Sequence, residues 1–125
     1  MENFNDKYEK CPMYYAMSVL EGKWKWIILW KIYQTKVIRY NRLKEMLQPI
    51  AHKTLSQQLK ELEGNNIIHR EQYNQVPPKV EYSLTPEGET LIPILSLMYQ
   101  WGSEHMTPRE TCEDDTCLST DLRDS

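Results

Sequence analysis

The chain has 125 residues, 40% hydrophobic and 26% charged, which is enough for one soluble globular domain with little left over. Charged residues interrupt the hydrophobic ones throughout, so no stretch of about 18 apolar residues could span a membrane. The first ten residues lack the apolar core of a secretory signal, and a cytoplasmic protein is therefore expected.

The net charge of −3 conceals two regions of opposite sign. Residues 23–79 carry eleven basic and four acidic side chains, a net charge of +7, whereas residues 107–125 carry six acids and two arginines, a net charge of −4. A protein that contacts phosphates needs a locally positive electrostatic potential rather than a positive net charge over the whole chain. We therefore predict a domain over residues 1–106 with a basic working surface, followed by a mobile acidic tail over residues 107–125.

The hydrophobic periodicity, the prolines and the glycines predict eight elements. In chain order they are helices over residues 13 to about 20 and 24–33, a strand over 37–39, helices over 41 to about 47 and about 52–64, strands over 67–73 and 80–84, and a helix over about 87–104. Asn41 is the expected N-cap of the third helix, and Thr85, which precedes a proline, is the expected N-cap of the last.

Pro77 and Pro78 cannot continue a strand ladder, so the connection between the last two strands should project as a wing. The predicted order therefore describes a mainly α protein with a small β wing (α+β). This architecture is the winged helix-turn-helix, which is used chiefly to bind duplex DNA.

The helix over residues 52–64 has leucines on one face and polar side chains on the other. The major groove of DNA admits one helix, whose amides and lysines can pair with base edges while neighbouring groups hold phosphates. The predicted DNA contacts are Lys53 and Gln57 near bases, Thr54, Ser56 and Lys60 at phosphates, and Arg39, Arg42 and the wing's Lys79 on the flanking backbone. An ordinary solvated helix face would look similar, but the wing that follows in order favours DNA binding.

Several segments of the sequence resemble the HxlR-type winged-helix transcriptional regulators, which are related to the MarR group. The matching segments are Cys11-Pro12, GKWKWIIL, RYNRLKEML, LSQQLKELE, residues 67–73 and VPPKVEYSLTPEG. They cover residues 11 to about 102, and the last of them is the most specific. The resemblance implies a homodimer on a pseudo-palindromic double-stranded DNA operator, usually acting as a repressor or autoregulator. It does not extend to the tail from Thr107 onward.

The first and last helices would form the dimer interface of such a protein. Both carry large apolar side chains, and aromatic residues and methionines are enriched at interfaces. The alternative is that these side chains close a monomeric core, but their number in so small a domain favours a dimer. The predicted interface consists of Tyr14, Tyr15, Met17, Leu95, Met98, Tyr99 and Trp101.

Cys11 is the candidate for a redox or electrophile switch. It lies at or just before a helix N-terminus, with Lys7 and Lys10 nearby, and both features favour the thiolate. Several members of the family that the chain resembles sense oxidants or electrophiles through a cysteine at this N-terminal position. The alternative is a buried structural cysteine. A disulfide would need Cys11 of a second subunit, a tail cysteine or a small thiol as its other half.

Metal, cofactor and catalytic functions are not expected. Cys112 and Cys117 with His105 fall short of the four ligands of a structural zinc site. The three histidines lie on different elements, without a nucleophile–base arrangement or a glycine-rich phosphate loop. Two alternatives stay open: a winged helix that binds proteins instead of DNA, and a regulator switched by a small aromatic ligand. The ligand's cavity would be lined by Tyr14, Trp24, Trp30 and Trp101.

Overall fold

The computed structural model describes residues 7–107, and within them the predicted order of helices and strands is confirmed. The elements are α1 (Pro12–Val19), α2 (Lys25–Thr35), β1 (Val37–Arg39), α3 (Tyr40–Met46), α4 (His52–Gly64), β2 (Ile68–Tyr73), β3 (Lys79–Leu84), α5 (Pro86–Glu89) and α6 (Ile92–His105). The predicted acidic tail lies, apart from Thr107, outside the described residues. None of the helices in the described part of the chain is long and apolar enough to cross a bilayer.

The three strands form one antiparallel sheet in the order β1-β3-β2. Strands β2 and β3 pair along their whole length, from Ile68 opposite Leu84 to Tyr73 opposite Lys79. The segment between them contains the two prolines, and Val76 at its tip is exposed. The predicted wing is therefore confirmed. Strand β1 pairs with the other edge of β3, with Ile38 opposite Tyr82, and so ties the wing to the helical part.

The core is built around α2, as the apolar character of that helix predicts. Ile28, Leu29 and Ile32 of α2 are fully buried, and the leucine face of α4 lies in the same core cluster. Full burial of such a side chain contributes about 1.5–3 kcal/mol, so these contacts are a main source of stability. The same helix also buries two lysines, Lys25 and Lys31.

The N-cap of α3 and the continuity of the last helix differ from the prediction. Helix α3 begins at Tyr40 directly after β1, with Arg39 in extended conformation at the N-cap, so the N-cap predicted at Asn41 is wrong. The long last helix is divided into α5 and α6. Pro93 lies in the first turn of α6, and in a continuous helix its ring would clash with the carbonyl of Glu89, where α5 ends.

The N-terminus of α5 is attached to the end of the α4–β2 connection. Thr85 is its N-cap, as predicted, because the Thr85 Oγ1 accepts a hydrogen bond of 2.9 Å from the Gly88 N–H. The same hydroxyl donates to the Asn66 carbonyl at 2.7 Å. A Cβ on Gly88 would lie 2.1 Å from the Ile67 carbonyl oxygen, so only glycine allows this close approach.

We predict that Gly88→Ala lowers the free energy of unfolding by about 1–3 kcal/mol, because the backbone must move away from Ile67. Urea denaturation followed by circular dichroism measures the change. Gly64→Ala is the matched control: nothing lies within 4 Å of its added methyl group, and its effect should stay within about 0.5 kcal/mol. Equal effects of the two substitutions would contradict the close-approach argument.

Candidate nucleic-acid interface

Helix α4 has the two faces that the sequence predicts. Its three leucines, Leu55, Leu59 and Leu62, are buried, whereas the polar side chains lie on the remaining surface. Three of the predicted DNA contacts, Lys53, Gln57 and Lys60, are exposed, and Thr54 and Ser56 are half-buried. The helix therefore presents one continuous polar face with two lysines and an amide.

A cavity of about 440 Å³ lies between the beginnings of α3 and α4 and the wing. It brings together two of the predicted backbone contacts, Arg39 and Lys79, with Ser56 of α4, whereas Arg42 is exposed on α3 and does not line it. The basic and hydrogen-bonding side chains that line this wing cavity are those of Arg39, Tyr40, Asn41, His52, Ser56, Arg70, Lys79 and Tyr82. Their charge suits an anion such as a phosphate.

Tyr40 of α3 and His52 of α4 both line the wing cavity and connect the two helices. The Tyr40 hydroxyl is hydrogen-bonded to the His52 Nδ1 and lies 3.5 Å from the Ser56 Oγ. The two rings meet edge to face, with their centroids 5.4 Å apart. This contact fixes α4 relative to α3. Sequence reasoning missed both residues, because they are twelve positions apart and only the crossing of the helices brings them together.

Arg70 is a further residue that the sequence analysis left unassigned. It lies on β2 directly opposite Tyr82 of β3. Burial raises the pKa of Tyr82, and the guanidinium of Arg70 opposes that change. Arg70 is exposed and lines the wing cavity. The only sequence signal for it was its contribution to the positive charge of residues 23–79.

Lys79 is engaged by neighbours at the base of the wing. Its Nζ lies 4.4 Å from the centroid of the Tyr73 ring and 3.5 Å from the Glu81 Oε2. The hydrogen bond from the Tyr73 hydroxyl to Glu81 raises the pKa of Tyr73. Glu81 thus offsets part of the positive charge that Lys79 was expected to bring to the wing. Arg70 therefore contributes more of the net positive charge at the wing cavity than Lys79 does.

Glu61 joins the polar face of α4 to the core. Its Oε1 accepts a hydrogen bond of 2.6 Å from the Lys25 Nζ, and its Oε2 accepts one of 2.8 Å from the Gln57 Nε2. The hydrogen bond from Lys25, followed by that from Gln57, lowers the pKa of Glu61. The Glu61 carboxylate is therefore ionised at neutral pH.

The predicted dimer interface falls into two groups. Tyr15 and Met17 on α1, and Met98 and Trp101 on α6, are exposed, whereas Tyr14 and Tyr99 are half-buried. Leu95 is only 4% exposed and packs in the chain's own core, so its assignment to the interface is wrong. Helix α6 turns Leu95 inward together with Ile92, three residues earlier.

Further apolar side chains, which the sequence analysis did not list, are exposed on the same two helices. They are Met13 on α1 and Ile94 and Leu97 on α6. Trp30 is 1% exposed whereas Trp101 is 66% exposed, so the described residues do not enclose both rings in one ligand cavity.

Cys11 is the N-cap of α1 and has a free, half-buried thiol. Its carbonyl accepts a hydrogen bond of 3.0 Å from the Tyr15 N–H, and its own N–H donates to the Tyr8 carbonyl at 2.9 Å. The predicted position at a helix N-terminus is therefore correct. Cys112 and Cys117 lie outside the described residues. Within residues 7–107, no three His, Cys, Asp or Glu side chains are grouped so that they could hold a metal ion.

Comparison with known proteins identifies the family. The model of the HxlR-like helix-turn-helix family matches residues 19–110 of the chain. The chain belongs to the HxlR family. As a member of that family it is a transcriptional regulator with a helix-turn-helix domain, which is a non-enzymatic role.

Three relatives illustrate the similarity of this HxlR family member to other regulators. A Fusobacterium mortiferum protein, MalR, provisionally described as a regulatory protein, is 52% identical over 100 residues, which are 80% of this chain and 93% of MalR. The redox regulator HypR in its oxidized form has a TM-score of 0.71 at 42% identity and covers 78% of this chain and 100% of its own. A Porphyromonas gingivalis W83 protein assigned to the MarR family has a TM-score of 0.70 at 40% identity. The match covers 78% of this chain and 95% of that protein's chain.

We predict that Tyr40→Phe lowers the free energy of unfolding by about 0.5–1.5 kcal/mol, because the hydrogen bond between α3 and α4 is lost. Tyr33→Phe is the control, since Tyr33 packs on Trp30 through its ring. Urea denaturation of both variants measures the difference. A loss no larger than that of the control would show that the Tyr40 hydroxyl does not hold the two helices together.

Proposed function

We propose that this HxlR family member is a sequence-specific DNA-binding repressor that acts as a homodimer on a pseudo-palindromic operator. The observation that carries the proposal is the exposed polar face of α4 beside a basic cavity at the wing. In the proposed complex α4 enters the major groove, where Lys53 and Gln57 reach base edges. Lys60 and the hydroxyls of Thr54 and Ser56 face the phosphates.

The wing cavity is proposed to hold a phosphate of the DNA backbone. Arg39 and Arg70 supply positive charge from two sides, and the hydroxyls of Tyr40 and Ser56 supply hydrogen bonds. Contacts of this kind carry no sequence information, but they fix the register and orientation of the protein on the duplex. Arg42, exposed on α3, is proposed to contact a phosphate outside the cavity. Lys79 contributes less than the sequence suggested, because Glu81 offsets its charge.

The proposed dimer is formed by the exposed apolar side chains of α1 and α6. Large apolar side chains that stay exposed on two helices are unfavourable in water, and a second copy of the chain provides a self-complementary cover. A two-fold axis would place the two α4 helices on successive turns of one face of the duplex, with half-sites about 34 Å apart. A pseudo-palindromic operator follows from that symmetry.

Cys11 is proposed to control the affinity for the operator. The support is its position at the N-cap of α1, on a helix proposed to form the dimer, together with the similarity to HypR, which is named a redox regulator. Oxidation would join the Cys11 Sγ to a second thiol, with loss of two protons and two electrons to the oxidant. The second thiol belongs to the other subunit, to the tail or to a small molecule.

We predict that Lys53→Ala with Gln57→Ala weakens binding to a DNA fragment from the protein's own promoter by roughly 10-fold or more, because each base contact contributes about 1–3 kcal/mol. A gel shift at several salt concentrations measures the loss. The control is Lys10→Ala with Gln100→Ala, which removes the same groups away from α3, α4 and the wing and should leave the affinity within about 2-fold. No retardation of any promoter fragment by the wild-type protein, or no effect of the α4 substitutions, would favour a protein-binding winged helix instead.

We predict that diamide weakens operator binding of the wild-type protein by roughly 10-fold and leaves Cys11→Ser unaffected. Diamide accepts the two electrons and two protons released as the disulfide forms. Fluorescence anisotropy with labelled operator, before and after dithiothreitol, measures the effect. Operator release from Cys11→Ser by diamide would end the Cys11 hypothesis. The variant Cys112→Ser with Cys117→Ser locates the second thiol, because it loses the response only if a tail cysteine is the partner.

A further inference from the structure

The contacts of Glu61 extend from the polar face of α4 to another helix. Glu61 lies one turn after Gln57 on α4, the spacing at which side chains of a helix meet. Each of its carboxylate oxygens has a different partner: Lys25 of α2 at 2.6 Å, and the amide nitrogen of Gln57 at 2.8 Å. Lys25 also donates to the Glu21 carbonyl at 3.3 Å. The carboxylate is therefore held from both sides.

Burial of Lys25 makes this arrangement rigid. The Lys25 side chain is 4% exposed, whereas that of Glu61 is 42% exposed. A buried ammonium is strongly destabilised unless an anion and hydrogen-bond acceptors surround it, so Lys25 keeps Glu61 in one place. An ordinary pair of exposed side chains one turn apart would have no such anchor and would move freely.

The fixed carboxylate determines which way the Gln57 amide faces. A carboxylate only accepts hydrogen bonds, so the amide nitrogen of Gln57 must face Glu61 and its oxygen must face away. The Gln57 amide nitrogen has two N–H groups, and the one anti to the Gln57 Oε1 donates to Glu61. The Gln57 Oε1 and the other N–H then lie side by side at the exposed end of the side chain. That acceptor–donor pair matches adenine, whose N6 amino group donates and whose N7 accepts in the major groove.

We propose that Glu61, anchored by the buried Lys25, is the specificity-determining positioning residue of this regulator and orients Gln57 to recognise one adenine in each operator half-site. The proposal rests on the proposed function, in which α4 enters the major groove. The positioning role of Glu61 also explains why this acidic side chain lies on a face proposed to meet DNA. Its charge is paired with Lys25, and its role is to direct an amide.

Operator selection from a random DNA pool tests the proposal. The wild-type protein should enrich adenine at one position of each half-site, with a preference of roughly 10-fold or more that Gln57→Ala abolishes. Glu61→Gln should reduce that preference to within about 3-fold and leave the other positions unchanged. In this variant the new amide keeps its oxygen on Lys25 and turns its nitrogen to Gln57, whose amide must then reverse. Glu63→Gln, the same change at an exposed position two residues along α4, should leave the whole motif unchanged.

A second variant keeps the test valid if Glu61→Gln unfolds. Lys25→Met replaces the buried cation by an apolar side chain of similar length and releases Glu61 to solvent, so the adenine preference should fall severalfold at the same position. Circular dichroism checks that each protein variant used in the operator selections is folded. Folded variants at positions 25 and 61 that keep the wild-type preference would overturn the positioning role, as would a wild-type motif that Gln57→Ala leaves intact. A wild-type protein that enriches no motif would instead refute the proposed function.

Discussion

The burial of one face of α4 is the constraint on which the rest of the structure depends. Leu55, Leu59 and Leu62 lie in the core that α2 builds, and their helical spacing leaves the opposite face outside. A helix buried on one face has its orientation fixed by packing, because rotation about its axis would expose leucines to water. The polar face of α4 is therefore presented in one defined direction, and the contact between Tyr40 and His52 keeps its N-terminal end in place beside the wing.

The charge of the surface formed by α4 and the wing depends on which basic side chains have acidic neighbours. The basic side chains of residues 23–79 are not spread evenly, since some line the wing cavity, some cover α4 and two lie in the core. Acidic neighbours offset the positive charge of individual basic side chains. Glu81 offsets Lys79 at the wing, and Glu61 balances the buried Lys25 while it holds Gln57. The local arrangement of charge, rather than the net charge of −3, thus decides how the surface meets a polyanion.

Binding and regulation are assigned to different parts of the molecule. The surface proposed to meet DNA consists of α3, α4 and the wing, whereas the exposed apolar side chains and Cys11 lie on α1 and α6. In the proposed symmetric dimer, a small change at the interface would alter the distance between the two α4 helices. Binding to an operator of fixed half-site spacing is sensitive to that distance, so a signal at Cys11 need not contact DNA to change affinity.

The order of helices and strands could be predicted from the sequence, as could the wing, the cap at Thr85 and the two faces of α4. These features depend on local periodicity and on prolines and N-cap residues. The break before α6 was missed by the prediction of one helix over about 87–104, although Pro93 disfavours a helix that continues through it. Three features could not be predicted in this way: the burial of Leu95 in the core, the position of Arg70 at the wing cavity, and the contact of Lys25 with Glu61, 36 residues away. These contacts join segments far apart in the chain, and they depend on the angles at which helices cross and strands pair, which no short stretch of sequence specifies.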